Sequence, residues 1–369
     1  EQAMAELNAM DANEIQGISV LKDASSTAVY GIRGANGVII VTTRRGQTGA
    51  PKVNLSMNYG FTSASSLQKG TSAYEYALMR NEAIRHDQRS FSGTESLSTY
   101  IYDDYDLWKF RNNRDYTPVE LDARGDLTAA QKELLKNQPA LYYASRDLYK
   151  EMFDRVAPQM QINLNVSGGT ERVKYFVSFG YFSQQGITTD IRYYDADTGS
   201  NFNRYNFRSN FDIQVAKNFK VSVNVAGQFG KSQGLGSGSD PYDLSSRYKG
   251  IMQYIYDANP FISPGMIDGH LIEGFAGVAG TEQNPLANKT ASTIGNQNAI
   301  VSLLRAGTNS IFNSLLDNTI KLEHTMDYLL EGLRVYGTVN YQDNYNRIVK
   351  YTPSIPTYTV PVSYTHLTL

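Results

Sequence analysis

Residues 52–61 read KVNLSMNYGF, and their alternation decides the fold class. Val53, Leu55, Met57, Tyr59 and Phe61 fall on one face of an extended chain, while Lys52, Asn54, Ser56, Asn58 and Gly60 fall on the other, because successive side chains of a strand point to opposite sides. The polar face is uncharged apart from Lys52. The same pattern returns at Ile162, Leu164 and Val166, at Tyr175, Val177, Phe179 and Tyr181, and at Tyr205, Phe207, Phe211 and Ile213. It returns again at Val221, Val223 and Val225, at Ile320, Leu322, Met326 and Tyr328, and at Leu333, Val335, Val339 and Tyr341. These are seven amphipathic strands.

The connections between them alternate in length. Residues 62–158, 184–203 and 230–312 are long, whereas 168–173, 216–218 and 330–332 are short. Transmembrane barrels have short turns on one side of the membrane and long loops on the other, and a soluble sandwich has no reason to sort its loops by parity. The strand at Val53 then runs outward from the periplasm and the strand at Ile162 runs back. Within the first long loop, residues 73–86 and 128–136 have helical patterning and a good cap.

Composition agrees with this reading and removes several others. The chain has 369 residues, no cysteine, four histidines, 34 basic and 36 acidic side chains, and 27 tyrosines against 15 phenylalanines. At ~150 residues per domain the length alone would suggest two domains. Near-neutral charge gives no broad attraction to polyanions, so nucleic acid is not an expected partner. Without cysteine there is no thiol catalysis, disulfide framework or Cys-based zinc site. The longest aliphatic run, residues 38–41, is far short of the ~20 residues of a membrane helix, but barrel strands need only about 9–11.

The first fifty residues differ in character. Residues 15–21 form a short apolar run, Asp23 stands where it can cap a helix over 24–30, and Gly31, Gly34 and Gly37 punctuate the chain before the strand VIIVTT at 38–43. This is a strand, helix, glycine loop and strand unit, and residues 44–51 lead out of it.

Catalytic motifs are thin. His86, His270, His324 and His366 are scattered, with no HExxH and no nucleophile elbow. Asp103, Asp104 and Asp106 lie among Tyr100, Tyr102, Tyr105 and Trp108. A glycosidase needs two acids placed across a bond, which nothing local fixes, so an aromatic patch that stacks on a polar ligand is the better reading. Tyr102, Tyr105 and Trp108 are therefore the ligand-binding candidates. Asp195, Asp197 and Asn201 around Gly199 resemble the opening of a calcium loop, but Ser200 and Asn206 occupy the positions that need Gly and Glu. The glycines at 234, 236 and 238 lack the order of a nucleotide loop.

VLKDAS at 20–25, AVYGIRGANGVIIVTT at 28–43, APQMQINLNVSGGTERVKYFVSFGYFSQQGI at 157–187 and YNFRSNFDIQVAKNFKVSVNV at 205–225 resemble the SusC/RagA-like family of TonB-dependent outer-membrane receptors of Bacteroidota. The resemblance implies a mostly β fold: a transmembrane antiparallel β-barrel, of which about seven strands are present, preceded by the C-terminal part of a small α+β plug domain. Residues 1–50 would be the end of the plug and 51–369 the first part of the barrel with its long extracellular loops. It implies import of oligosaccharides or peptides, no enzymatic activity and no cofactor. The implied partners are the TonB/ExbB/ExbD energising complex, a SusD-like surface lipoprotein and outer-membrane lipid. Arg33, between the plug glycines, is the candidate plug-to-barrel contact. Seven strands cannot close a barrel of the family's width, so the chain is expected to be a piece of a longer protein, lacking the TonB box, and SYTHLTL at 363–369 departs from the family pattern. A soluble or secreted β-rich carbohydrate-binding protein is the competing reading, since such a protein would also alternate.

Overall fold

In the computed structural model, the described residues are 12–66, 69–91, 102, 104–112, 117–125, 128–130, 132–133, 147–153, 156–236, 249, 252–253, 255, 266–267, 269–275 and 299–360. The alternating stretch at 52–61 lies in β3 (Gly49–Thr62), the first strand of a seven-stranded sheet. The others are β4 (Ala157–Gly169), β5 (Val173–Gln185), β8 (Asn201–Ala216), β9 (Phe219–Leu235), β12 (Thr308–Thr325) and β13 (Arg334–Tyr351). Each pairs antiparallel with the next in chain order, so the sheet is a meander with β3 and β13 at its edges.

Two strands are longer than alternation alone indicates. β9 continues past Gly230 to Leu235, and β12 begins at Thr308. The residues GKSQG and SIFNSLLD in these extensions contain glycines and paired apolar residues that break the two-residue period, yet the backbone ladder between the strands continues through them from Thr308↔Leu235 to His324↔Phe219. Pairing with a long neighbour supplies the register that the side chains do not advertise.

The sheet is inverted relative to one that faces water. Leu55, Met57 and Val339 are 70%, 64% and 71% exposed, and Phe179, Tyr205, Ile320 and Leu322 on the same face are also exposed. On the opposite face Asn163, Ser178, Asn206, Asn210 and Ser222 are buried. Aromatic rings cross the exposed face as a slanted row: Tyr181 and Tyr205 are 5.0 Å apart, and Phe207, Phe229, Phe312 and Tyr345 follow at 6.1, 6.4 and 6.4 Å. Gly227 makes room for this row, because a Cβ there would lie 2.3 Å from Cε1 of Phe207. An apolar band edged by aromatic rings is the lipid-facing surface of a transmembrane barrel. Among the described residues no helix is long and apolar enough to cross a membrane.

At the short-turn end of the sheet sits the N-terminal unit, in which β1 (Ile15–Leu21) pairs antiparallel with β2 (Val38–Thr43). Between them a helical turn over Ala24–Thr27 is held by the Asp23 carbonyl, which accepts from the Ser26 and Thr27 amides, so the backbone rather than the aspartate side chain makes the cap. Gly31 (φ 60°) and Gly37 (φ 93°) adopt backbone that L side chains resist, which lets the chain double back within a few residues.

The opposite end carries the long loops, which share an apolar core. α4 (Leu148–Met152) of the first loop packs with the small hairpin β6 (Arg192–Tyr193) and β7 (Ala196–Asp197) of the second, with α5 (Ala299–Ala306) of the third, and with Ile355 beyond β13. Met152, Leu271, Leu303 and Leu304 are fully buried there. Leu271 belongs to β11 (His270–Phe275), which pairs with β10 (Met266–Ile267) and, in parallel, with β14 (Tyr358–Val360). A smaller core joins α1 (Ala73–Phe91) to α2 (Asp104–Asn112) through Ala73, Ala77, Tyr102 and Phe110, with α3 (Pro118–Ala123) nearby in sequence.

Candidate functional site

The polar face of β5 and β8 meets the N-terminal unit, and this contact is built from charged side chains. Glu14, 3% exposed, begins the unit. One of its carboxylate oxygens accepts from Ser178 Oγ at 2.8 Å and the other from Arg208 Nε at 2.8 Å. Ser178 and Arg208 are direct cross-strand partners on β5 and β8, so a single rung of the wall supplies both donors.

A second contact forms one step nearer the short turns, where the unit hands the chain to the sheet. Arg45 Nη1 lies 3.1 Å from Asp212 Oδ1, and the same carboxylate receives Lys220 at 3.4 Å and the hydroxyl of Ser222. Asn210 donates to the Arg44 carbonyl at 2.8 Å. Gly46 presses directly on the wall, since a Cβ there would come within 2.3 Å of the Tyr175 backbone nitrogen. Arg44 ties the unit together: its backbone N–H donates to the Glu14 carbonyl at 2.8 Å and its guanidinium to the Ile15 carbonyl at 3.3 Å.

Two cavities adjoin these contacts. A small one of about 60 Å³ is lined by Glu14, Asn206, Arg208, Gln228, Asp317 and Gln342. A cleft of about 360 Å³ lies beneath the outgoing linker, between Arg44, Arg45 and Lys52 on one side and Asn54, Asn165 and Ser167 on the other. The cleft is mainly polar, whereas the small cavity also has Phe207, Ala226 and Leu315 in its lining, so the Arg45–Asp212 contacts beside the cleft are the ones that water can replace at modest net cost. Such an interface suits a part that is held firmly and yet can be moved.

The sequence-based candidates are distributed differently. Arg33 lies in the glycine-punctuated segment, and its side chain is outside the described residues; the wall contacts that are described come from Glu14, Arg44 and Arg45. Glu14 carries no local signal, because its partners are more than 160 positions away. Arg208 and Asp212 sit at polar positions of a recognised strand, and charge on the inward side of a strand is the one sequence feature that marks them.

Of the aromatic trio, Tyr102 is buried at 4% exposure with its ring edge-on to Phe110 at 5.4 Å. Its backbone is clamped by Asn81, whose amide donates to the Tyr102 carbonyl at 2.7 Å and accepts from its N–H at 2.8 Å. Its ring therefore serves the packing of α1 on α2. Trp108 is half-buried on α2, its carbonyl accepting from Asn112 at 2.7 Å, while the side chain of Tyr105 lies outside the described residues, as does Asp103. His366 and residues 363–369 also lie outside them.

The two aspartates of the calcium-like segment diverge. Asp195 accepts a hydrogen bond from the Tyr351 hydroxyl, and Asp197 faces the Gln233 amide at 3.4 Å. Neighbouring Asp190 is engaged by Arg192 at 2.7 Å, an interaction that raises the guanidinium pKa further. Among the described residues no group of three or more potential ligands is assembled for a metal.

No family model matches the chain. Among curated proteins it is 28% identical over 223 residues to the TonB-dependent receptor P26 of Formosa agariphila, covering 59% of this chain and 17% of that protein. It is 24% identical over 294 residues to the TonB-dependent receptor SusC of Bacteroides thetaiotaomicron, covering 76% of this chain and 23% of that receptor. The chain thus spans about a fifth of the length of these relatives. Among solved structures it resembles the RagAB peptide importer in its open-open state, with a TM-score of 0.57 at 19% identity over 96% of this chain and 35% of that one. The closed-closed state gives a TM-score of 0.55 over 93% and 33%. The inverted sheet, the charged unit docked on its inner wall and these likenesses agree: the chain resembles the SusC/RagA-like TonB-dependent receptors in sequence and shares the fold of their plugged barrels.

Proposed function

We propose that the protein containing this chain imports nutrient ligands, oligosaccharides or peptides, across the outer membrane. In this reading residues 1–50 end the plug, residues 51–369 begin the barrel, and the protein acts as a carrier and not as an enzyme. The observation that carries it is the ion-paired seating of the N-terminal unit on the inner wall, Glu14 on Arg208 and Ser178, and Arg45 on Asp212. A plug held by exchangeable polar contacts in a hydrated lumen can be displaced by force, which the TonB/ExbB/ExbD complex would supply. The apolar core shared by the described parts of the long loops supports a rim on which a SusD-like lipoprotein would close.

The test is uptake by cells carrying the full-length gene. Labelled oligosaccharides and peptides should enter only when that gene and TonB are both intact. Uptake that persists without TonB would sink the proposal, as would hydrolysis of a glycan that is lost on Asp103→Asn. The competing reading, a soluble carbohydrate-binding protein, requires release into the aqueous phase without detergent; exposed Leu55, Met57 and Val339 argue against it.

A further inference from the structure

Water does not readily replace the Glu14–Arg208 contact. The side chains of Arg208 and Glu14 are only 12% and 4% exposed, and the small cavity beside them is partly lined by Phe207, Ala226 and Leu315. Withdrawal of Glu14 takes the carboxylate away from a guanidinium that stays on the wall, and an uncompensated charge in a sheltered site is strongly unfavourable. The unit can leave at low cost only if the wall offers Arg208 another acceptor.

One stands on the same rung. Arg208 is the cross-strand partner of Ala226, and Ala226 is the partner of Asp317, so Arg208 and Asp317 share the inner face two strand spacings apart, roughly 10 Å. Ala226 presents only a methyl group between them, and the cavity of about 60 Å³ is bounded by Glu14, Arg208 and Asp317 together. An extended arginine side chain can cross that gap. Asp317 accepts from the Asn340 amide at 2.8 Å, and a carboxylate has about four acceptor sites, so it can hold both groups. Gln228 lines the same cavity, and its side-chain oxygen is buried without a hydrogen-bond partner among the described residues; the arriving guanidinium carries donors enough to satisfy it as well. Asp212, the other acid on the inner face of β8, is four residues from Arg208, roughly 14 Å along the strand, and already holds Arg45 and Lys220.

We propose that Asp317 is a second seat for Arg208: when the N-terminal unit leaves the wall, the guanidinium crosses the cavity from the Glu14 carboxylate to the Asp317 carboxylate, and it returns when the unit docks again. Arg208 is then stranded in neither position. Asp317 is a positioning residue that acts on the cycle through Arg208, and the inference rests on the importer reading above, in which the plug is moved.

The experiment uses the full-length protein in outer membranes, with Phe176→Cys as its single reporter thiol. Phe176 is 3% exposed on the inner face of β5 and lines the cleft beneath the linker, so a maleimide reaches a thiol there when the unit is off the wall. Asp317→Asn keeps an acceptor for Asn340 but loses the charge, and labelling should slow by about tenfold, the weight of one charge-assisted hydrogen bond. Removing a residue that merely supports the wall would speed labelling instead. Asp317→Glu should keep the wild-type rate. Relief of simple repulsion between Asp317 and Glu14 would also slow labelling, so the deciding comparison is made in the Arg208→Gln background, where Asp317→Asn should have almost no effect. Labelling that is unchanged or faster in Asp317→Asn overturns the second seat, as does a slowing that persists in the Arg208→Gln background. Heat-modifiable migration reports the folding of each variant, and Asp317→Ser takes the place of Asp317→Asn if the latter fails it. Uptake that proceeds without TonB would defeat the importer reading and leave the labelling result standing.

Discussion

The most consequential single side chain in the described structure is Glu14, because it is buried, charged and satisfied by two donors from one rung of the wall. Removing one member of such a pair leaves the other charge stranded, at a cost of about 3–5 kcal/mol. Glu14→Ala or Arg208→Ala should therefore loosen the N-terminal unit by about that amount while leaving the sheet folded. Amide exchange should accelerate across β1 and β2 but not across β8 and β9; unchanged exchange in β1 would show that the pair does not seat the unit. Gly46 offers an independent test. Its missing Cβ is demanded by backbone atoms of Tyr175, which cannot rotate away, so Gly46→Ala must shift the linker and should break the Arg45–Asp212 contact. New proteolysis within residues 44–49 would register it, and full protease resistance would contradict it. Neither residue stands out in the sequence. Glu14 precedes the first apolar run and Gly46 is one glycine among 30, since contacts across such distances leave no periodic trace.

Elements were more legible than contacts. Alternation identifies all seven long strands and their inward faces because the period of two is set locally by the backbone; it underestimates β9 and β12 where the ladder, not the side chains, maintains the strand. Helix caps are local as well. At the start of α1, Ser72 Oγ accepts from the Glu75 amide at 3.2 Å while the Glu75 carboxylate accepts from the Ser72 N–H at 3.0 Å and its hydroxyl at 2.8 Å. The backbone hydrogen bond from Ser72, then its hydroxyl, hold the Glu75 carboxyl below its ordinary value of 4.5. A lowered carboxyl pKa stabilises the fold above the unfolded value and ceases to do so as pH falls through the folded one. The first turn of α1 should consequently fray as pH falls past the ordinary carboxyl range and through the lowered Glu75 value. Amide protection at residues 75 and 76 reports this, and Ser72→Ala should raise the titration midpoint of Glu75 in an NMR titration; an unmoved midpoint would remove the capping explanation.

At the scale of the molecule two cores of opposite kind are joined by one sheet: a polar interior against the N-terminal unit and an apolar cap of loops at the other end. The cap was the least legible part, because Leu148, Tyr193, Leu271 and Leu304 come from separate long connections with no shared local pattern. Leu304→Ala, which removes a fully buried side chain, should cost about 2–5 kcal/mol within the cap. The loss should reach α4 and the β6–β7 hairpin in other loops, appearing as faster exchange at residues 148–152 and 192–197. The inverted sheet supports the sharpest comparison, since Asn163 and Leu164 are adjacent on β4 yet face opposite media, one buried and polar, the other exposed and apolar. If the exposed face meets lipid, Leu164→Arg places a charge in hydrocarbon and should destabilise the folded barrel by about 2–4 kcal/mol near the bilayer midplane. In a water-soluble protein the same exposed substitution would be almost neutral, within about 0.5 kcal/mol. Urea titration of the full-length protein in lipid bilayers distinguishes the two directly. A neutral Leu164→Arg would mean that the apolar face is turned toward water, and the membrane-spanning assignment of the whole sheet would fail with it.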